Sequence, residues 1–194
     1  MSDVLTRVRS APGKTMDAAA YQADFTREFD VAGGVVWKLE RAQAFDERDL
    51  PSYQAMLAGD WDRAMALVEE MRPGFRADHP DRIDFRRIRV VEEPFTPYLR
   101  WELALLAVRA EEGENSRVVP ASAVRPYELD GPVPELVLFS STLQYEVLYD
   151  ATGRHTGARR ITDPWVIEPC VPALAGLFDR GEDLRAYWAR MSTA

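Results

Sequence analysis

The residues with the clearest chemical use are Arg86, Arg87 and Arg89, in the segment RIDFRRIRVV. Alternation there predicts a strand with Ile88 and Val90 on one face and Arg87, Arg89 and Val91 on the other. Two guanidiniums on one strand face stand roughly 6–7 Å apart, close enough to embrace one phosphate or two carboxylates. The segment VVWKLE (35–40) alternates in the same way, with Val36, Lys38 and Glu40 sharing a face, so Glu40 lies on a neighbouring candidate strand. Two uses follow. The arginines line a ligand or protein pocket in which Glu40 or Glu102 orients them or acts on the ligand, or the acids neutralise them across a sheet and helix interface and specify packing.

Tyr98 and Glu102 lie four apart in a predicted helix, which permits a phenol beside a carboxylate; this is an acid and base pair or an ordinary packing contact. Arg100 points elsewhere on the same helix. Gly113-Glu114 marks a helix end and a turn, where Glu114 accepts from nearby backbone or reaches an arginine. Asp150 precedes the polar loop ATGRHTG, and neither His155 there nor His79 has a nucleophile placed beside it in the sequence. Cys170, set between apolar residues and flanked by prolines, reads as a packing residue. One cysteine and two histidines give no zinc cluster of recognisable spacing, so no metal is expected. The phosphate-binding, zinc-protease, nucleophile-elbow and calcium-loop motifs are missing from the sequence, and no cofactor is expected.

These residues need elements to hold them. Asp17 caps a helix whose Tyr21, Phe25 and Phe29 form one apolar stripe. A short helix from Leu50 ends at Gly59, and Asp60 caps a second with Trp61, Met65 and Val68 on one side, stopped by Pro73-Gly74. Thr96-Pro97 starts the helix bearing Tyr98, Trp101, Leu105 and Val108. Short strands are predicted at RVV (117–119), ELVLF (135–139) and YEVLYD (145–150), the last two joined as a hairpin through SST. Asp163-Pro164 is a further start signal, Pro169 and Pro172 are interruptions, and EDLRAYWARM is a final helix. Strands mixed with helices predict a single α+β domain over 16–194, a mixed or antiparallel sheet with helices on one face. Regular βαβ units are not expected.

Residues 1–15 read as a flexible N-terminal arm, without the continuous apolar stretch of a secretory signal, and a cytoplasmic location is expected. The longest apolar runs are far too short to cross a membrane. Asp and Glu outnumber Lys and Arg by 32 to 24, which opposes association with nucleic acid through long-range charge. Only Lys14 and Lys38 are lysines, so nearly every cation is a guanidinium suited to gripping carboxylate or phosphate. Five tryptophans could line a pocket or an interface, and Trp188 beside Tyr187 is the candidate partner contact.

The segments FTREF (25–29), WKLE (37–40), RRIRVVEEPFTPYLRWE (86–102), GE (113–114) and VLYDATG (147–153) together resemble the DUF6879 family of uncharacterised actinobacterial proteins. The likeness spans roughly residues 25–165. It maps the family's strand glutamate onto Glu40, its Arg-x-Arg-Val-Val strand onto Arg87 through Val91, its Pro-x-x-x-Tyr approach onto Pro94 through Tyr98, and its Gly-Glu pair onto Gly113-Glu114. The resemblance implies a single domain of this size, found near helix-turn-helix regulators, and hence a regulatory or accessory role. Where the family carries an acidic and aromatic strand, this chain has ELVLFSS, so no metal role is transferred to Ser140 and Ser141.

The leading expectation is a non-enzymatic bacterial regulatory or accessory domain that binds an anionic small molecule or a regulatory protein through Arg87 and Arg89, with Glu40, Tyr98 and Glu114 beside them. One alternative is an enzyme acting on a small anionic substrate, with Glu40, Tyr98 or Glu102 moving a proton. Another is a structural partner subunit with an exposed apolar surface around Tyr187-Trp188.

Overall fold

The computed structural model describes residues 3–77 and 80–192. A 3-10 turn (Thr6–Ser10) leads into β1 (Lys14–Asp17), α1 (Ala18–Val31) and β2 (Gly34–Glu40). Three helices, α2 (Pro51–Leu57), α3 (Trp61–Glu70) and α4 (Arg72–Ala77), precede β3 (Ile83–Val91), and α5 (Pro97–Glu111) connects it to β4 (Asn115–Pro120). Next come α6 (Ala121–Val124), a 3-10 turn (Arg125–Tyr127) and the meander of β5 (Glu135–Phe139), β6 (Leu143–Tyr149) and β7 (His155–Ile161). The chain then forms α7 (Pro164–Ile167), α8 (Cys170–Arg180), β8 (Glu182–Asp183) and α9 (Leu184–Ser192).

The strands form one eight-stranded mixed sheet in the order β1-β7-β6-β5-β2-β3-β4-β8. β2, β3 and β4 are parallel neighbours, and the remaining pairs are antiparallel. The fold is therefore α+β with a mixed sheet, as the sequence pattern predicts, but two consecutive strand-helix-strand crossovers join β2, β3 and β4. These crossovers correct the expectation that such units are missing; the first is not a regular unit, since three short helices replace one long one.

Helices cover both faces, where one was expected. On one face Trp37, Leu39, Ile88, Val90, Leu136 and Leu138 pack against Leu174, Leu177 and Phe178 of α8. Leu5, just before the first 3-10 turn, and Val8 within it join that core fully buried, and Lys14–Asp17 pairs with β7. Leu5 and Val8 thus anchor to the core within the segment expected as a flexible arm: the charged residues of LTRVRS hide a two-residue apolar anchor. On the other face Tyr21, Phe25 and Phe29 of α1 cover Val36, Val137, Phe139 and Tyr145. Helices α2 to α5 gather around Phe45, Tyr98 and Trp101, and α9 packs with α5 through Leu184 and Tyr187.

Capping follows the sequence signals. Asp17 accepts from the Ala20 N–H at 2.8 Å, Asp60 from Arg63 at 3.1 Å, Thr96 from Leu99 at 3.1 Å and Asp163 from Trp165 at 2.9 Å. α3 ends at Glu70, just ahead of Pro73-Gly74 as expected, but these two residues then lie in a new helix, α4, because a proline in the first turn leaves no internal bond broken. Pro172 is tolerated in the first turn of α8 for the same reason. Among the described residues, no helix is long and apolar enough to cross a membrane.

Candidate functional site

β2 and β3 pair in register, with Lys38 opposite Arg87 and Glu40 opposite Arg89. The face carrying them looks towards α1 on one side and α2 to α5 on the other. Arg86 alternates to the opposite face, where it bonds Asp84 at 2.7 Å and its guanidinium lies 5.1 Å from the Trp37 ring centroid, so the arginine triplet is split.

Arg87 and Arg89 are 5% and 0% exposed, and both are paired. Arg87 donates to Glu40 at 2.7 Å and, through its other edge, to both oxygens of Glu114. Arg109 and Ser116 also donate to Glu114, at 2.9 and 2.7 Å. Arg89 donates to Glu102 at 2.8 Å and to the Val90 carbonyl at 3.0 Å, while the Tyr98 hydroxyl donates to Glu102 at 3.2 Å. Lys38 Nζ lies 2.8 Å from Glu40. Gly113, at φ +115°, turns the chain out of α5 with a left-handed backbone that favours glycine, which delivers Glu114 beneath the sheet edge.

The sequence candidates Arg87, Arg89, Glu40, Tyr98, Glu102 and Glu114 therefore meet in one buried network. Burial alone would raise the carboxyls of Glu40 and Glu114; the charges of Arg87 with Lys38 at Glu40, and of Arg87 with Arg109 at Glu114, reverse this and hold both well below the usual carboxylate range. Burial raises Glu102, and Arg89 offsets only part of it. Burial and Glu102 together push the Tyr98 phenol above its ordinary range. Four cations, Lys38, Arg87, Arg89 and Arg109, face three carboxylates, Glu40, Glu102 and Glu114.

A cleft opens above this network. Its outer part, about 550 Å³, lies between the Tyr21, Phe25 and Phe29 stripe of α1 and the floor residues Phe85, Lys38 and Arg87, with Arg82 and Arg109 at the sides. A second part of about 310 Å³ carries Glu40, Glu47, Glu135, Tyr149 and His155. An inner chamber of about 190 Å³ carries Glu40, Glu47, Arg87, Tyr98, Trp101 and Glu102. Lys38 lines all three.

The three residues of the acid and base alternative, Glu40, Tyr98 and Glu102, thus line a common chamber. Glu40 is bonded to Arg87 and Lys38, and Glu102 accepts from both Tyr98 and Arg89. Sequence patterning missed Glu47, Arg109 and Glu135. Glu135 accepts from the Arg41 and Ala42 N–H groups at 2.9 and 2.7 Å, and burial, opposed by these bonds, pushes it up to about 7. Burial also raises Glu47.

Other candidates take structural places. His155 opens β7, which was expected as loop, and its ring lies 5.4 Å from Tyr21 and 5.7 Å from Tyr149; burial lowers its pKa. Asp150 accepts from the Thr152 and Arg154 N–H groups at 2.8 and 3.1 Å and shapes the turn. Cys170 is buried and burial pushes its thiol up to about 12. His79 lies outside the described residues. Tyr187, expected as a partner contact with Trp188, is buried under α5, and Trp188 is packed beside it. The exposed tryptophan is Trp165.

Fold and network together define an α+β domain in which buried Arg–Glu pairs floor a partly open cleft. The chain matches the family described as "Domain of unknown function (DUF6879)" over residues 23–189 and belongs to it. No curated protein matches it. Among solved structures, that of TrmBL2, an archaeal chromatin protein whose structure shows a novel mode of DNA binding, matches with 10% identity and a TM-score of 0.43. The match covers 93% of this chain, which spans 58% of that chain. At that similarity it carries no argument about this protein.

Proposed function

We propose that the protein is a regulatory or accessory domain that binds a small organic anion in the cleft between α1 and α5. The observation that supports this is the outer cleft's lining: Lys38, Arg82, Arg87 and Arg109 against the single acid Asp30, with Tyr21, Phe25, Phe29 and Phe85 as an apolar wall. Its volume lies in the range of small-molecule sites, and mostly apolar walls with a few convergent charges are their usual chemistry. Arg87 and Arg89 serve as a fixed floor, since their bonds are spent on Glu40, Glu114 and Glu102. Lys38 is more exposed than Arg87 and Arg109, and Arg82 is spent on the carbonyls of Phe29, Asp30 and Ala32, so Lys38 is the one able to turn towards a ligand.

The test is the mass of the protein purified from its native host without denaturation, followed by identification of what denaturation releases. The expected result is an organic anion at one per chain in the wild type and its loss from Lys38→Met. Equal retention by Lys38→Met removes the cleft as its location, and a protein chain released in its place moves the function to partner binding.

A further inference from the structure

The apolar lining of the outer cleft is mostly aromatic, and the cation able to meet a ligand stands at one end of it. Tyr21, Phe25 and Phe29 follow one another at four-residue spacing on α1, so the stripe runs roughly 12 Å along the helix. Phe25 and Phe29 are near-parallel, 18° apart with their centroids at 5.5 Å. Phe85, on the floor beside Arg87, lies 6.4 Å from Phe29. All three phenylalanines are only partly buried, and each has surface in the cleft. The aliphatic share of the lining is small, Val137 and Pro80.

The two ends of the stripe differ in charge. Arg82 stands at the Phe29 end, held by the carbonyls of Phe29, Asp30 and Ala32. Lys38 stands at the other end, with Tyr21 and Phe25, where the outer part meets the second part of the cleft. An ammonium carries three donors, and among the described residues the one carboxylate in reach of Lys38 is Glu40, at 2.8 Å. Donors therefore remain for a ligand. The surroundings limit its charge, because Glu40 lies beside Lys38 and Glu114 is held by Arg87 and Arg109 on the same floor. A carboxylate brings two acceptor oxygens and one charge, whereas the second charge of a phosphate would be set against these buried acids.

We infer that the ligand is a flat aromatic monocarboxylate, with its carboxylate on Lys38 and one or two rings lying along Phe25, Phe29 and Phe85. This rests on the reading above that the cleft holds an organic anion, and it adds the single charge, the flat body and the orientation. Aromatic rings prefer offset or edge-to-face neighbours with centroids about 4.5–7 Å apart. Phe25, Phe29 and Phe85 already keep that spacing among themselves, so a ligand ring extends their array. A saturated body of the same skeleton gains burial from the cleft and none of this geometry.

Three probes separate body from charge: 2-naphthoate, its saturated analogue decahydro-2-naphthoate, and 2-naphthyl phosphate. They are titrated by calorimetry into the full chain at about pH 8, where the phosphate is doubly charged. 2-Naphthoate is expected to bind about fivefold more tightly than the saturated acid, although burial alone favours the latter, and more tightly than the phosphate. Phe25→Leu should cut the advantage over the saturated acid to less than about twofold, and Phe29→Leu is an independent variant with the same expected result. Lys38→Met should weaken both carboxylates by the same factor, about tenfold. Equal or tighter binding of the saturated acid, or an advantage that survives both phenylalanine variants, overturns the aromatic body and leaves the anion reading standing. Tightest binding of the phosphate overturns the single charge in the same way. Binding of none of the three overturns the aromatic acid, and the host-purified protein then judges the anion reading by itself.

Discussion

Arg87 Nη1 lies 2.7 Å from Glu40 Oε2 on the neighbouring strand, while Arg87 Nη2 lies 3.0 Å from Glu114 Oε2 at the exit of α5. One guanidinium therefore ties β2 to the α5–β4 turn through β3, with all three side chains buried. Charges so enclosed depend on one another, since removing one partner leaves the others desolvated and uncompensated. Arg87→Met is expected to cost about 3–5 kcal/mol, with Glu40 left to Lys38 and Glu114 to Arg109. Adding Glu40→Gln and Glu114→Gln should recover more than half of that loss. Urea unfolding of the single and triple variants decides it; a single-variant loss under about 1 kcal/mol would show that the network contributes little to the fold.

What could be read from the sequence was local. Period-two alternation placed Arg87 with Arg89 and Lys38 with Glu40, and the four-residue spacing placed Tyr98 over Glu102, because these relations are fixed by strand and helix geometry alone. Which acid meets which arginine was not local. Glu114 reaches Arg87 because β3 and β4 are parallel neighbours, and Glu135 reaches the Arg41 amide because β5 pairs with β2. Glu47 and Trp101 line one chamber only once the segment before α2 and helix α5 are brought together by the fold. β7 escaped notice because HTGARRI has few apolar residues; its Arg159 and Arg160 instead bond Glu146 at 2.7 Å and Asp24 at 2.9 Å. The arm looked free because Leu5 and Val8 are only two apolar residues in a charged segment.

Acid should weaken the network in a defined window. Arg87 and Arg109 overcome burial and depress the folded-state pKa of Glu114, so its stabilisation is present above the ordinary carboxylate range and lost as pH falls through that range towards the depressed value. The wild-type melting temperature should therefore drop between about pH 4.5 and pH 2.5. Glu114→Gln, less stable at neutral pH, should lose less over that window. Thermal melts at matched ionic strength measure both, and parallel pH profiles would show that Glu114 titrates alike in the folded and unfolded chains.

Glu135 should act with the opposite sign. Burial raises its folded-state pKa to about 7, so the folded protein holds a proton that the unfolded chain has released. The stability linked to that proton is full below the ordinary carboxylate range and is lost as pH rises through about 7. Glu135→Gln keeps a carbonyl acceptor for the Ala42 N–H and should flatten the fall in melting temperature between about pH 5 and pH 8. A wild-type fall retained in full by the variant would place the responsible proton elsewhere, with Glu47 the next residue to change.

Gln144 has no exposed surface, and neither its amide oxygen nor its nitrogen finds a partner within the described protein. It stands on β6 between Leu138 of β5 and Ile161 of β7, both fully buried. An amide so placed gives up its hydration and gains little in return, a penalty of about 1–3 kcal/mol. Methionine fills a similar unbranched volume without a group that demands a hydrogen bond. Gln144→Met is therefore expected to raise stability by about 1–2 kcal/mol in urea unfolding, with an unchanged denaturant slope because the same surface is buried. The cleft lies on the opposite face of the sheet, so affinity for the ligand should not move. A loss of stability would mean that the amide is satisfied by internal water, and a crystal structure of the wild type would then show that water bridging Gln144 to a backbone carbonyl.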